Sequence, residues 1–175
     1  NLRINQNKLI WIKMASSIMT TDTRPKVAFS EIKIGDKIVR ISGIAKGSGM
    51  IAPNLATMFS FIFTDADISS TVLNKYLNKV LSETFNAITV DSDTSTNDMV
   101  AIFSTKKIKS KKLNTISSKE ALKFEKALKT VCLDLAKQIV VDGEGAKKFI
   151  TIKIINSESI EKAKKIAFSI AKSPL

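Results

Sequence analysis

Two strand-like runs, Val27 to Ile34 and Ile38 to Ala45, stand on either side of Gly35-Asp36-Lys37. So short a connection, opened by a glycine, turns the chain back on itself as a β-hairpin and commits the sequence to a sheet. A glycine-rich turn follows, Lys46-Gly47-Ser48-Gly49, and then Thr57-Met-Phe-Ser-Phe-Ile-Phe63. That run is short and aromatic, which favours a buried strand over a helix. Met99 to Ser104 and Phe149 to Ile155 are two further strand candidates. Helical spacing predicts a helix over Lys8 to Met19, with Ile10, Trp11, Met14 and Ile18 on one face. It recurs at Val72, Leu73, Tyr76, Leu77, Val80 and Leu81, and again at Leu122, Leu128, Val131, Cys132, Leu135 and Ile139. Ser117-Ser-Lys-Glu120 offers the second of these a capping box. A last helix is expected through Ile160, Ala163, Ile166, Ala167 and Ile170. Strands and helices in this mixture mean α/β or α+β, with sheet and helix layers packed together.

Composition narrows the chemistry. The chain of 175 residues has no histidine, which excludes Ser-His-Asp catalysis, Cys-His pairs and histidine-ligated metals within it. A single cysteine, Cys132, allows no internal disulfide and no cysteine-based metal cluster, and its place on an apolar helix face makes it a core thiol. No metal and no bound cofactor are expected. A reducing, cytoplasmic setting fits, and no apolar run approaches the roughly 18 residues of a membrane span. Asn1 as first residue and the stop after Ser173-Pro174-Leu175 are expected of a segment of a longer protein. The formal charge of +12 (28 Lys and Arg against 16 Asp and Glu) raises nucleic acid or an anionic membrane as partners. However, the densest run, Lys106, Lys107, Lys109, Lys111 and Lys112, has no interleaved aromatics on which bases would stack. It reads as a solvated loop, with neither nucleic acid nor membrane expected.

Four segments are too specific for core packing alone: Ile18 to Thr23, Gly43 to Met58, Thr89 to Asp98, and Val140 to Ala146. The second places Lys46 before its glycines and Pro53 shortly after, so it is not a phosphate-binding P-loop. The third has Thr96 and Ile102 where a calcium loop needs glycine and a bidentate glutamate, and reads as a self-satisfied turn. In the fourth, Gly143 and Gly145 flank Glu144 and allow a sharp turn at the end of a helix near Val140.

Taken together and in this order, Met-Thr20-Thr-Asp-Thr, Lys46-Gly-Ser-Gly-Met-Ile-Ala-Pro-Asn-Leu-Ala56-Thr57-Met, Asp-Thr-Ser-Thr-Asn-Asp98 and Val-Val-Asp142-Gly-Glu144-Gly-Ala are similar to the signatures of the ornithine acetyltransferase (glutamate N-acetyltransferase) family of arginine biosynthesis. The resemblance runs from about Trp11 to Leu175. It implies a layered α-β-β-α sandwich, of which this chain would be a part. It also implies a precursor that cuts itself between Ala56 and Thr57, giving residues 1–56 as the end of an α chain and 57–175 as the start of a β chain. Thr57 would be the nucleophile, Thr20, Lys46, Thr57 and Glu144 would contact substrate, and the full protein would be a heterotetramer of two α and two β chains. The implied reaction moves an acetyl group from N-acetylornithine to glutamate. Whether acetyl-CoA also serves as donor is left open by the residues.

The residue types suit that chemistry. A threonine hydroxyl needs a base beside it, and a freed α-amine, with a reference pKa of about 7.7–8.0, is one. Cleavage therefore creates the base on the residue that carries the nucleophile, and no histidine is required. The sequence departs from the family at Leu55, Ser92 and Lys147, where methionine, glycine and threonine are usual; Lys147 adds positive charge three residues beyond Glu144. The family's oxyanion-stabilising Thr-Gly pair precedes the part present. Two other functions remain open on the residues: a related N-terminal-nucleophile amidase or aminopeptidase, and a silent basic binding module.

Overall fold

The computed structural model describes residues 7–48, 58–90, 98–109, 113 and 118–173. Strands β1 (Lys26–Ile34) and β2 (Lys37–Lys46) form the expected antiparallel hairpin, registered from Ile34 opposite Lys37 to Lys26 opposite Ala45. The turn is tighter than predicted, Gly35-Asp36 alone, and Gly35 adopts a φ of 61° that a side chain would disfavour. Strand β3 (Phe59–Thr64) pairs antiparallel with β2, from Lys46 opposite Phe59 to Ile41 opposite Thr64. Strand β4 (Met99–Ser104) then adds parallel to β3, so the sheet order is β1-β2-β3-β4. A parallel neighbour requires a crossover. Helix α2 (Ser70–Leu81) and a 3₁₀ turn at Phe85–Ala87 lie along it.

The strand alternation sorts the two faces of this sheet. Val39, Ile41 and Ala45 of β2 and Ile62 of β3 join one core with Leu73, Tyr76, Leu77 and Val80 of α2 and with helix α3 (Lys119–Val141). Helix α3 lies across β1 and β2, supplying Phe124, Leu128, Val131, Cys132, Leu135 and Ile139 to that core. Its close approach depends on Gly43, where a Cβ would stand 2.8 Å from Leu135 Cδ1 and 3.1 Å from Val131 Cγ1. Cys132 is buried here, and burial pushes its thiol up to about 12, the behaviour of an inert core thiol. On the opposite face, helix α1 (Lys8–Ser17) sets Trp11 against Phe29 and Phe63, with ring centroids 6.1 and 5.6 Å away. Three layers result: α1, the sheet, and α2 with α3.

Five expectations need correction. Leu122 of α3 is exposed rather than core-facing. On α1 the buried face is Trp11 and Ala15, with Ile18 packed behind, whereas Ile10 and Met14 are exposed. Helix α3 is capped by Ser118, whose side chain accepts the Ala121 N–H, so the box counted from Ser117 is displaced by one residue and Glu120 falls in the first turn. Residues 149–155 form no strand; Phe149, Ile150 and Ile155 are exposed, and no sheet edge among the described residues pairs with this segment. A strand without a neighbour leaves its backbone groups to water. Helix α4 (Ile160–Ala171) forms as predicted, but none of its residues is buried, and Ile160, Ile166 and Ile170 stay exposed. Lys106, Lys107 and Lys109 are exposed in a loop, as the charge pattern suggests, while Lys111 and Lys112 lie outside the described residues. No helix among the described residues is long and apolar enough to cross a membrane.

Candidate active site

At the end of the sheet where β2 finishes, Lys46 lies on the same face as Ile44 and Phe61, because directly opposed residues of an antiparallel pair share a face. Its side chain is buried, with 6% of the residue exposed. The Lys46 Nζ donates to the Thr20 hydroxyl at 3.2 Å and stands over the Phe59 ring, 5.2 Å from its centroid. Among the described residues no carboxylate pairs with it. A buried ammonium held by one hydroxyl and one aromatic face lacks the counter-charge that buried cations ordinarily keep.

Thr20 is held in turn by Asp22, on the loop that follows α1. Asp22 accepts the Thr20 N–H at 3.2 Å through one oxygen; the other accepts the Gly47 N–H at 2.7 Å and the Lys26 ammonium at 2.6 Å. Lys26 opens β1 on the α3 side of the sheet and is fully buried. It also donates to Asp142, at 2.5 Å, just past the end of α3. Asp142 further accepts the Thr23 N–H at 3.1 Å and the Thr23 hydroxyl, and Arg24 lies 3.6 Å away on the exposed side. Burial by itself would raise both carboxyls. The hydrogen bond and charge of Lys26, together with the Gly47 and Thr20 N–H groups at Asp22 and with Thr23 at Asp142, outweigh it in each, so both sit below the usual carboxylate range.

Two residues after Asp142 comes Glu144. Its N–H donates to the Ser48 carbonyl at 2.6 Å, and the Ser48 hydroxyl is 2.8 Å from that of Thr21. The turn that brings it there runs through Gly143, where a Cβ would meet Val90 Cγ1 at 2.8 Å and the Val140 carbonyl oxygen at 3.1 Å. Val90 belongs to the third motif. At the motif's other end, Asp98 accepts the N–H of Met58 at 3.0 Å, and Met58 packs against Gly47.

The described residues of the four sequence motifs thus converge on one end of the sheet. The structure brings together Thr20, Lys46 and the Glu144 backbone, with the Glu144 side chain exposed to solvent. Ala56 and Thr57 lie outside the described residues. The sequence motifs do not single out Lys26, and they show Asp142 only as a neighbour of Glu144. The available signal was parity: Lys26 has the phase of Ala28, a core-facing position, and a lysine there requires acidic partners.

Over residues 2–175 the sequence matches the family model described as the ArgJ family. The chain belongs to the ArgJ family. It is 48% identical over 166 residues to a protein of Neisseria meningitidis serogroup A named "Arginine biosynthesis bifunctional protein ArgJ", covering 94% of this chain and 41% of that one. Equally named proteins of Zymomonas mobilis and Brucella suis are 49% identical over 165 residues and 47% identical over 168. The chain therefore spans about two fifths of the length of these curated ArgJ relatives. The crystal structure of the Bacillus halodurans ArgJ protein superimposes with a TM-score of 0.61 at 42% identity, covering 65% of this chain and 53% of that one. The mixed α/β architecture is accordingly part of an ArgJ fold.

Proposed function

We infer that this chain is the portion of an ArgJ-type acetyltransferase that carries the self-cleavage site and one wall of its substrate pocket. The observation that supports this most is the buried Lys46 ammonium, bonded to Thr20 and lacking an acidic partner among the described residues. Such a group is suited to a substrate carboxylate, and both N-acetylornithine and glutamate carry one. Met58, the residue after Thr57, packs against Gly47, so the nucleophile's chain neighbour borders the Lys46 end of β2.

In this reading, cleavage between Ala56 and Thr57 frees the threonine amine and divides residues 1–56 from 57–175. The Thr57 hydroxyl oxygen adds to the acetyl carbonyl carbon of N-acetylornithine, and its proton passes to the Thr57 amine. The carbon–nitrogen bond breaks, the departing ornithine nitrogen takes that proton, and an acetyl ester remains on Thr57. The amine of glutamate then attacks the ester, giving N-acetylglutamate and restoring the hydroxyl. Lys46 orients the carboxylate common to both substrates, Thr20 hydrogen-bonds the bound amino acid, and Glu144 faces its cationic end. Two α and two β chains would assemble in the full protein, in the cytoplasm.

The test is Thr57→Ala in the full-length protein. It is expected to remain one uncut polypeptide by intact mass and to move no acetyl group from N-acetylornithine to labelled glutamate. A variant that still cleaves, or still transfers, refutes the assignment. Replacing N-acetylornithine by acetyl-CoA in the same wild-type assay decides the second donor.

A further inference from the structure

Lys26 is the one fully buried lysine among the described residues, and its two acceptors belong to different walls of the site. Asp22 fixes the Thr20 and Gly47 backbones, hence the Thr20–Lys46 side. Asp142 fixes Thr23 and begins the turn that carries Glu144. The two aspartates are 120 positions apart in sequence, and Lys26 joins them through a single nitrogen. A buried ion triad is a weak source of stability, because well-packed apolar residues often serve a fold as well or better. Apolar residues would not hold the Thr20, Thr23 and Gly47 N–H groups at fixed acceptors. Every buried side-chain nitrogen and oxygen among the described residues has a partner, so this network is complete as built.

We propose that Lys26 is a positioning residue, which through Asp22 and Asp142 sets the distance between the Thr20–Lys46 wall and the Glu144 wall of the substrate site. This rests on the reading of those three residues as substrate contacts. The spacing in turn selects the length of substrate that spans a carboxylate at Lys46 and a cationic end at Glu144. A misplaced wall weakens binding of each correctly folded molecule, whereas a defect of stability alone lowers the fraction of active enzyme and leaves KM unchanged.

The experiment uses the full-length protein with two mild variants, Lys26→Arg and Thr23→Val, and Lys46→Met as a control. Lys26→Arg keeps the charge and both acceptors but widens the link; Thr23→Val removes one donor to Asp142 at nearly constant shape. Active sites are counted by mass as acetyl-Thr57 formed without glutamate, and KM and kcat per active site are measured for N-acetylornithine and glutamate. The expected result is a KM for N-acetylornithine raised about tenfold in Lys26→Arg and about threefold to tenfold in Thr23→Val, with kcat per site within about threefold of wild type. Unchanged KM in a folded Lys26→Arg overturns the proposal, and where that variant does not fold, unchanged KM in Thr23→Val overturns it. An unchanged KM in Lys46→Met overturns instead the reading of the site on which it rests.

Discussion

Replacing Lys46 by methionine should act in opposite directions on stability and on function. The ammonium is almost wholly buried, and taking such an ion from water costs several kcal/mol even after relaxation. Against that stand its hydrogen bond to Thr20, about 1.5–3 kcal/mol, and its place over Phe59, about 1–2 kcal/mol. The two sides nearly cancel, and methionine of similar volume removes both, leaving a Thr20 hydroxyl that is exposed and can turn to water. Substrate-free Lys46→Met is therefore expected to be as stable as wild type or up to about 1.5 kcal/mol more stable by urea unfolding. Binding loses a desolvated charge pair, worth about 2–5 kcal/mol, so kcat/KM for N-acetylornithine should fall by about 30-fold to several thousandfold. Thermal unfolding with and without N-acetylornithine gives a third reading, since the ligand should raise Tm for wild type alone. A substrate-free variant destabilised by more than about 1 kcal/mol would show that the ammonium is already compensated, and the argument for a missing carboxylate would fail.

Two further outcomes follow from the same network. Asp22 and Asp142 have lowered carboxyl pKa values when folded, so between those values and the unfolded value of about 3.9 the unfolded chain binds more protons. Their stabilisation is present above that range and is lost as pH falls through it; urea midpoints between pH 6 and 3 should drop less steeply in Asp142→Asn than in wild type, and parallel curves would place the acid lability elsewhere. Gly143→Ala puts a methyl 2.8 Å from Val90 Cγ1 and 3.1 Å from a backbone oxygen, an overpacking of about 1–3 kcal/mol that should lower Tm by several degrees; an unchanged Tm would mean that the turn has room.

Much of the fold is legible because short-range rules decide it. The hairpin follows from two runs of alternating pattern around a glycine, and α2, α3 and α4 from their three-to-four spacing. Where a partner outside the segment decides, local pattern misleads. Residues 149–155 have the composition of a strand, yet hydrogen-bonding along a strand is a property of two segments, and no strand among the described residues pairs with this one. The buried face of α1 departs from the local spacing at Ile10 and Met14 for a related reason: Trp11, reaching Phe29 and Phe63, fixes the helix rotation. At the site, the four motifs were visible singly, but their meeting depends on contacts between residues more than 100 positions apart, such as Lys26 with Asp142. A lysine beginning a strand reads as solvated until its parity with Ala28 is weighed, so the hub of the network was the least legible part.

The pairing of β2 with β3 has a consequence for how the mature protein comes apart. The proposed scission falls between these two strands, whose register from Ile41–Thr64 to Lys46–Phe59 would then bridge separate polypeptides. Before scission the encounter of the strands is a loop closure with a modest entropic cost. Afterwards it is a bimolecular association, so recovery of this strand pairing in the processed enzyme should slow in proportion to dilution, while in the uncut Thr57→Ala precursor the same pairing step should keep one half-time at every protein concentration.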